Sequence, residues 1–212
     1  ALQRADQSPR TVVVADLQDN PGVGGTASTT GMLHALLDAG AGRRFPGRVA
    51  LGVLYDPAAA ALAHRAGIGQ TIDCAVGESL ATPIGQSEPP LQGRFGVRSL
   101  SDGTVTFKGP KMTGFQAVLG PTACLEIEGV LIVVSSGRIG TQDRELFRMV
   151  DIAPEAMKIV VVKSSHHFRA DFEPLTEHPE TDVVIAHAKG MFPSDPGALT
   201  WKKLSPATRT RP

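Results

Sequence analysis

Aromatic residues are scarce in this chain of 212 residues, at 5%, with a single tryptophan and a single tyrosine. Its core therefore has to be aliphatic. Neither sign of charge is in excess: 21 Lys+Arg stand against 21 Asp+Glu. A protein that chiefly grips a nucleic-acid backbone carries a basic surplus, so that class is set aside, a local basic patch apart. No apolar run approaches the ~20 residues that cross a bilayer. The longest, such as Val130–Val134 and Ile159–Val162, are short, so no membrane partner is expected. The first ten residues are polar and carry Arg4 and Arg10, unlike a secretory signal. Cysteine is nearly absent as well. Cys74 and Cys124 lie far apart in apolar segments, which predicts free buried thiols and a reducing, cytoplasmic setting.

Metal-binding patterns are also lacking. There is no H-E-x-x-H and no C-x-x-C. His166 and His167 are adjacent and point differently on regular structure, while His34, His64, His178 and His187 are scattered. No metal site and no cofactor are expected within this chain.

Glycine (23) and proline (16) are plentiful, so connections are many. With 42% apolar and 20% charged residues the composition is that of a folded globular chain. Its length allows a sizeable core. Thr11–Asp16 is β-branched and apolar, a buried strand. A Gly-rich loop follows, and Ser28, Thr29 or Thr30 caps a helix to about Ala39 with Met32, Leu33, Leu36 and Leu37 on one face. Val49–Tyr55 predicts a second strand. Asp56-Pro57 opens an Ala-rich helix ending at Gly67, and Gln70–Val76 predicts a third strand. This strand–helix alternation predicts a parallel sheet with packed helices.

The texture then changes. Phe95 and Val97 alternate with Gly96 and Arg98, Asp102-Gly103 predicts a hairpin turn, and Ala123–Ile127 with Val130–Ser135 predict two strands joined at Glu128-Gly129. Asp143–Val150 predicts a short helix, Lys158–Val162 a buried strand and Val183–Ala186 the last strand. The expected fold class is α/β, a largely parallel sheet with packed helices plus an antiparallel β-rich middle segment. Residues 1–10 are expected as a linker and 11–190 as one domain, with a β-rich insertion at about 80–135. Residues 191–212 are expected as a surface tail.

Three segments concentrate chemistry at predicted strand ends. The first holds Asp16, Asp19, Asn20 and glycines 22, 24 and 25. It lacks the G-x-G-x-x-G spacing of a dinucleotide loop and the Gly-Lys-Ser/Thr of a Walker loop. Turn chemistry and the wall of a ligand site both remain open for it, since Asp, Asn and Gly also favour turns. The second is Lys163-Ser164-Ser165-His166-His167-Phe168-Arg169. It is either a polar cap or a site for an oxyanion or carboxylate held by Lys163, the hydroxyls and Arg169. No G-x-S-x-G elbow supports nucleophilic attack by a serine. The third, Ser135-Ser136-Gly137-Arg138, is either a plain strand exit or part of the same wall. Parallel strands would bring the three together, beyond the carboxyl ends where α/β sites lie.

Residues 13–25 (VVADLQDNPGVGG), Tyr55-Asp56-Pro57, Leu119-Gly120-Pro121-Thr122-Ala123, Val160–Arg169 (VVVKSSHHFR) and Phe172-Glu173-Pro174 resemble the C-terminal domain of the MlrC-like metallopeptidases. The likeness runs from about Thr11 to Thr200. Where that family often carries an acid, this chain has Ser28, and its tail after Lys203 departs from the pattern. The resemblance implies a hydrolase of peptide bonds around twice this length. Its zinc ligands would lie in an N-terminal domain that is the partner of this one and is absent here. This chain would form one wall of the inter-domain cleft against a peptide or amide substrate and would be inactive alone. Asp16, Asp19, Asn20, Arg138, Lys163, Ser164, Ser165, His167 and Arg169 are the candidate wall residues. The alternatives are a stand-alone anion- or nucleotide-binding module using the Gly-rich loop, and a structural subunit domain.

Overall fold

The computed structural model describes residues 1–193 and 195–210. The elements follow in chain order: α1 (Leu2–Gln7), β1 (Val12–Asp16), α2 (Gly31–Asp38), α3 (Ala41–Arg44), β2 (Val49–Tyr55), α4 (Pro57–Ala66) and β3 (Thr71–Val76). Then come β4 (Ala81–Thr82), β5 (Gly85–Gln86), β6 (Leu91–Ser101), β7 (Thr104–Thr106), β8 (Gln116–Val118), β9 (Thr122–Ile127) and β10 (Val130–Ser135). The chain continues through α5 (Glu145–Arg148), β11 (Ile159–Val162), α6 (Arg169–Phe172), α7 (Pro179–Asp182) and β12 (Val183–Ala186). None of these helices is long and apolar enough to cross a membrane.

One eight-stranded sheet, in the order β12-β1-β11-β2-β10-β9-β6-β3, organises the molecule. β12, β1, β11, β2 and β10 are mutually parallel, with Val12 opposite Ile159 and Ile159 opposite Val49. β9, β6 and β3 add antiparallel ladders. The fold is thus α/β with a mixed sheet.

Both faces of the parallel part are covered, which is why its strands are continuous apolar runs. Val12 and Val14 lie in one apolar layer with Leu33 and Leu36 of α2 and Ala59 and Ala63 of α4. Val13 and Ala15 face the opposite way, with Leu146, Phe147, Phe168 and Phe172. Four of the five buried phenylalanines lie in this second layer, where Phe147 meets Phe172 edge-on at 5.9 Å.

Four elements differ from the sequence expectation. β3 does not extend the parallel sheet. It pairs antiparallel with residues 91–96 of β6, whose residues 96–101 pair with β9, and α4 packs against β3, β6, β9 and β10. The β-rich middle is therefore no separate insertion: it completes the main sheet around α4. Asp102-Gly103 turns between two sheets instead of closing a hairpin, because β7 pairs with β8. Residues 2–7 form a helix, not a linker, with Ala5 fully buried and Arg4 paired to Asp182.

Candidate functional site

The parallel register brings the polar strand ends together. Asp16, Tyr55, Ser135, Val162 and Ala186 end neighbouring parallel strands, so the three polar segments all leave the sheet at its carboxyl edge.

At the centre lies a charged cluster with no access to solvent. Lys163, Asp16 and Asp19 are each fully buried. The Lys163 ammonium donates to Asp16 Oδ2 at 3.0 Å, to Asp19 Oδ2 at 2.8 Å and to the Thr29 carbonyl at 3.0 Å. An ammonium has three donors, and these partners take all of them. Burial opposes the charge on Lys163, but the Asp16 and Asp19 carboxylates outweigh it and hold its pKa above the usual lysine value.

Asp19 organises the loop that follows. Its Oδ1 accepts from the Thr26 amide (3.0 Å), the Thr26 hydroxyl (3.0 Å) and the Ala27 amide (2.8 Å). Its Oδ2 accepts from the amide and the hydroxyl of Thr29, both at 2.8 Å. Burial pushes the Asp19 carboxyl up, yet Lys163 and these donors bring its pKa below the ordinary range. Asp16 is the contrast: its Oδ1 is buried and has no hydrogen-bond partner among the described residues.

Asn20 joins two of the segments. Its Oδ1 accepts from the Gly22 amide at 2.9 Å, and its Nδ2 donates to the Ser165 hydroxyl at 2.9 Å. The amides of Val23 and Gly25 donate to the Asn20 carbonyl, and that of Gly24 to the Pro21 carbonyl. From Gly22 to Thr29 every backbone N–H is thus used within the loop, Ser28 donating to the Thr26 hydroxyl. An anion nest needs free N–H groups, and this loop has none to offer. Gly25 is required by closeness: a Cβ there would fall 2.6 Å from the Asn20 nitrogen.

Residues 136–143 cross over these strand ends. Arg138 stacks on the Tyr55 ring, 4.2 Å from its centroid. Gly140 passes Asn20. The Thr141 hydroxyl donates to the Gly52 carbonyl (2.6 Å) and accepts from the Val53 amide (2.8 Å), and the Thr141 amide donates to the Lys163 carbonyl. Gln142 accepts from Lys111, and Asp143 from the Gly109 amide.

The candidate wall residues therefore separate by depth. Asp16, Asp19, Asn20, Lys163 and Ser164 are buried. Ser165 is half-buried, and His167 and Arg138 are exposed. His167 lies beside His166 and Lys111. Slight burial and those two neighbours lower its pKa. Arg169 is turned away, paired to Glu173 in the next turn. The sequence reading missed Thr26, Thr141 and Lys111, and it took Thr29 only as a cap. No short-range signal marks them, because their partners are reached only through the fold. Among the described residues no group of three or more His, Cys, Asp or Glu is placed to hold a metal ion. The described side chains do not fit a zinc site.

With this geometry in place, comparison with known proteins is decisive for family. The model of the MlrC C-terminus matches residues 14–203. The chain belongs to the MlrC C-terminal family. Microcystinase C of a Sphingomonas species is 28% identical over 161 residues, 76% of this chain and 29% of that protein. A crystal structure from Mesorhizobium sp. BNC1, of a protein provisionally described as a metallopeptidase, superposes with a TM-score of 0.75. It shares 24% identity and covers 89% of this chain and 35% of its own. That likeness shows a shared fold. The chain thus spans about a third or less of these relatives, a smaller share than the half expected from sequence.

Proposed function

We propose that this MlrC C-terminal domain forms one wall of an inter-domain cleft in a zinc-dependent peptidase or amidase, with the metal carried by a partner N-terminal domain. One observation supports the reading above others. A protein of a hydrolase-type family gathers its polar loops at the carboxyl edge of five parallel strands and locks them from beneath with Lys163.

The roles divide accordingly. Asp16, Asp19, Asn20, Lys163 and Ser164 position the wall without touching what lies against it. Ser165, His167 and Arg138, with Lys111 and His166 beside them, supply the accessible donors. Donors fixed in advance orient a peptide or amide and steady negative charge that develops on its carbonyl oxygen. Arg169, engaged by Glu173, belongs to the rim. Bound metal would supply Lewis-acid chemistry from the other domain. The reading carries with it a cytoplasmic setting, in keeping with the two free cysteines. The alternative of an anion module built on the Gly-rich loop is disfavoured by the complete internal use of that loop's N–H groups.

The test combines zinc content with hydrolysis of linear peptides, measured on this chain with and without the region that precedes the family domain in its relatives. Zinc and activity that appear only in the combined protein are the expected result. Stoichiometric zinc and hydrolysis by this chain alone would overturn it.

A further inference from the structure

β12 is an edge strand. β1 pairs with it in parallel on one side, and among the described residues no strand lies on the other. Alternate residues of a parallel strand turn their backbone groups toward opposite neighbours. About half of the N–H and C=O groups of β12 therefore face outward with no ladder to join.

Proteins blunt such edges with charge, proline or a bulge. The other edge of the sheet obeys that rule, because β3 presents Thr71 and Asp73 to solvent. β12 does not. It reads Val-Val-Ile-Ala, keeps an unbroken register with β1 and leaves Ile185 38% exposed. Val183 and Val184 pack into the two apolar layers of the sheet, and Ile185 packs into neither.

α1 runs past this same edge. Leu2 and Ala5 share an apolar layer with Val184 and Ala186. Arg4 pairs with Asp182, and the Ser8 hydroxyl donates to that carboxylate at 3.3 Å. Asp182 also accepts from the amides of Glu177 (3.1 Å) and His178 (2.9 Å), so the turn into β12 is tied to α1. The matching model is that of a C-terminus, and this chain covers 29% and 35% of the two relatives. In a protein of that plan the larger part of the chain precedes β1 and arrives by way of α1. It reaches the β12 edge first. The β3 edge is seven strand spacings away across the sheet, about 34 Å.

We propose that the open edge of β12 accepts a β-strand from the partner N-terminal domain, so that one sheet continues from this domain into the next. The identity of the occupant rests on the reading of a partner domain given above. The test reads backbone exchange and needs neither metal nor substrate. Failure here leaves the zinc reading standing, and failure of the zinc experiment leaves this one standing.

Hydrogen–deuterium exchange is followed residue by residue through β12, in this chain and in the same chain joined to the region that precedes the family domain. Amides directed at β1 should be protected in both. Outward amides should exchange freely in the chain alone and about tenfold or more slowly in the joined protein. Ile185→Lys puts a charge on the edge and should remove most of that gain. Ile68→Lys, at a 61% exposed position three residues before β3, should leave the gain intact. The two parent proteins decide the matter even if Ile185→Lys fails to fold. Outward amides that exchange equally fast in both proteins would overturn the proposal. Protection in the chain alone that rises with its concentration would overturn it in favour of a second copy on the edge. A gain that a folded Ile185→Lys variant keeps in full would overturn it as well.

Discussion

Replacing Lys163 by methionine tests the locked wall most directly. Methionine keeps much of the side-chain length and removes the charge that holds Asp16, Asp19 and the Thr29 carbonyl. Breaking a buried pair by removing one partner costs ~3–5 kcal/mol, because the other charge stays buried. The structure says where that cost falls. Asp19 keeps the amides of Thr26, Ala27 and Thr29 and the hydroxyls of Thr26 and Thr29. Asp16 keeps nothing: Oδ2 loses Lys163, and Oδ1 has no partner among the described residues. Lys163→Met should therefore destabilise by about 4 kcal/mol, or roughly 8–16 °C in Tm for a chain of this size. Adding Asp16→Asn should recover about half of that, since a neutral amide is far cheaper to bury than an unpaired carboxylate. Asp16→Asn alone should destabilise, as it weakens the Lys163 pairing. Asp19→Asn in the Lys163→Met background should give no recovery. Urea unfolding of the parent, the three single variants and the two double variants measures these couplings. A Lys163→Met cost of ~1 kcal/mol or less, or a double variant with Asp16→Asn no more stable than Lys163→Met alone, would refute the reasoning.

Three further outcomes follow from the same structure. Asp19 has a depressed folded pKa, so its stabilisation is present above the unfolded carboxyl value near ~4 and is lost as pH falls through the folded one. The urea-midpoint gap between the parent and Asp19→Asn should be full at pH 7 and narrow below about pH 4; a gap that does not narrow contradicts this. Gly25→Ala should cost ~1–3 kcal/mol through its backbone clash, whereas Gly96→Ala, whose Cβ would meet only the Glu126 carbonyl at 4.0 Å, should cost far less. Unfolding midpoints of the two variants decide it. Burial first, then the Asp56 and Asp73 charges, push the Cys74 thiol up to about 11; burial first, then Glu126, pushes Cys124 up to about 12. Alkylation at pH 8 should be about a hundredfold or more slower in the folded chain than in urea, and comparable rates would refute it.

Much of the fold could be read from the sequence because the signals were local. β1, β2, β11 and β12 are short apolar runs whose boundaries fall within one residue of those expected, and Asp56-Pro57 caps α4 through the Ala59 amide. The β9–β10 turn falls at Glu128-Gly129, both at positive φ. What could not be read depends on which strand lies next to which. Nothing in Thr71–Val76 says that it pairs with β6 instead of joining the parallel ladder. Nothing in Asp102-Gly103 says that the chain changes sheets there. The candidate site divides in the same way. Its residue types at strand ends were visible as clusters, but their depth was not. Lys163 and Asp19 lie 144 positions apart, and only their meeting shows that the lysine is spent inside the protein.

The crossover at 136–143 sets a limit on how this face can diverge. Within a few residues the segment meets Tyr55, Asn20, Gly52, Val53, Lys163, Lys111 and Gly109 in turn. A deletion or insertion of one residue would shift Thr141 off the β2 backbone and draw Arg138 away from its ring at the same stroke. Loops usually vary by changing length. This one is pinned at too many points to do so, and its freedom to vary lies in the side chains at Arg138 and Gln142. Divergence of this face would arise by substitution at those two positions while the backbone stays the same.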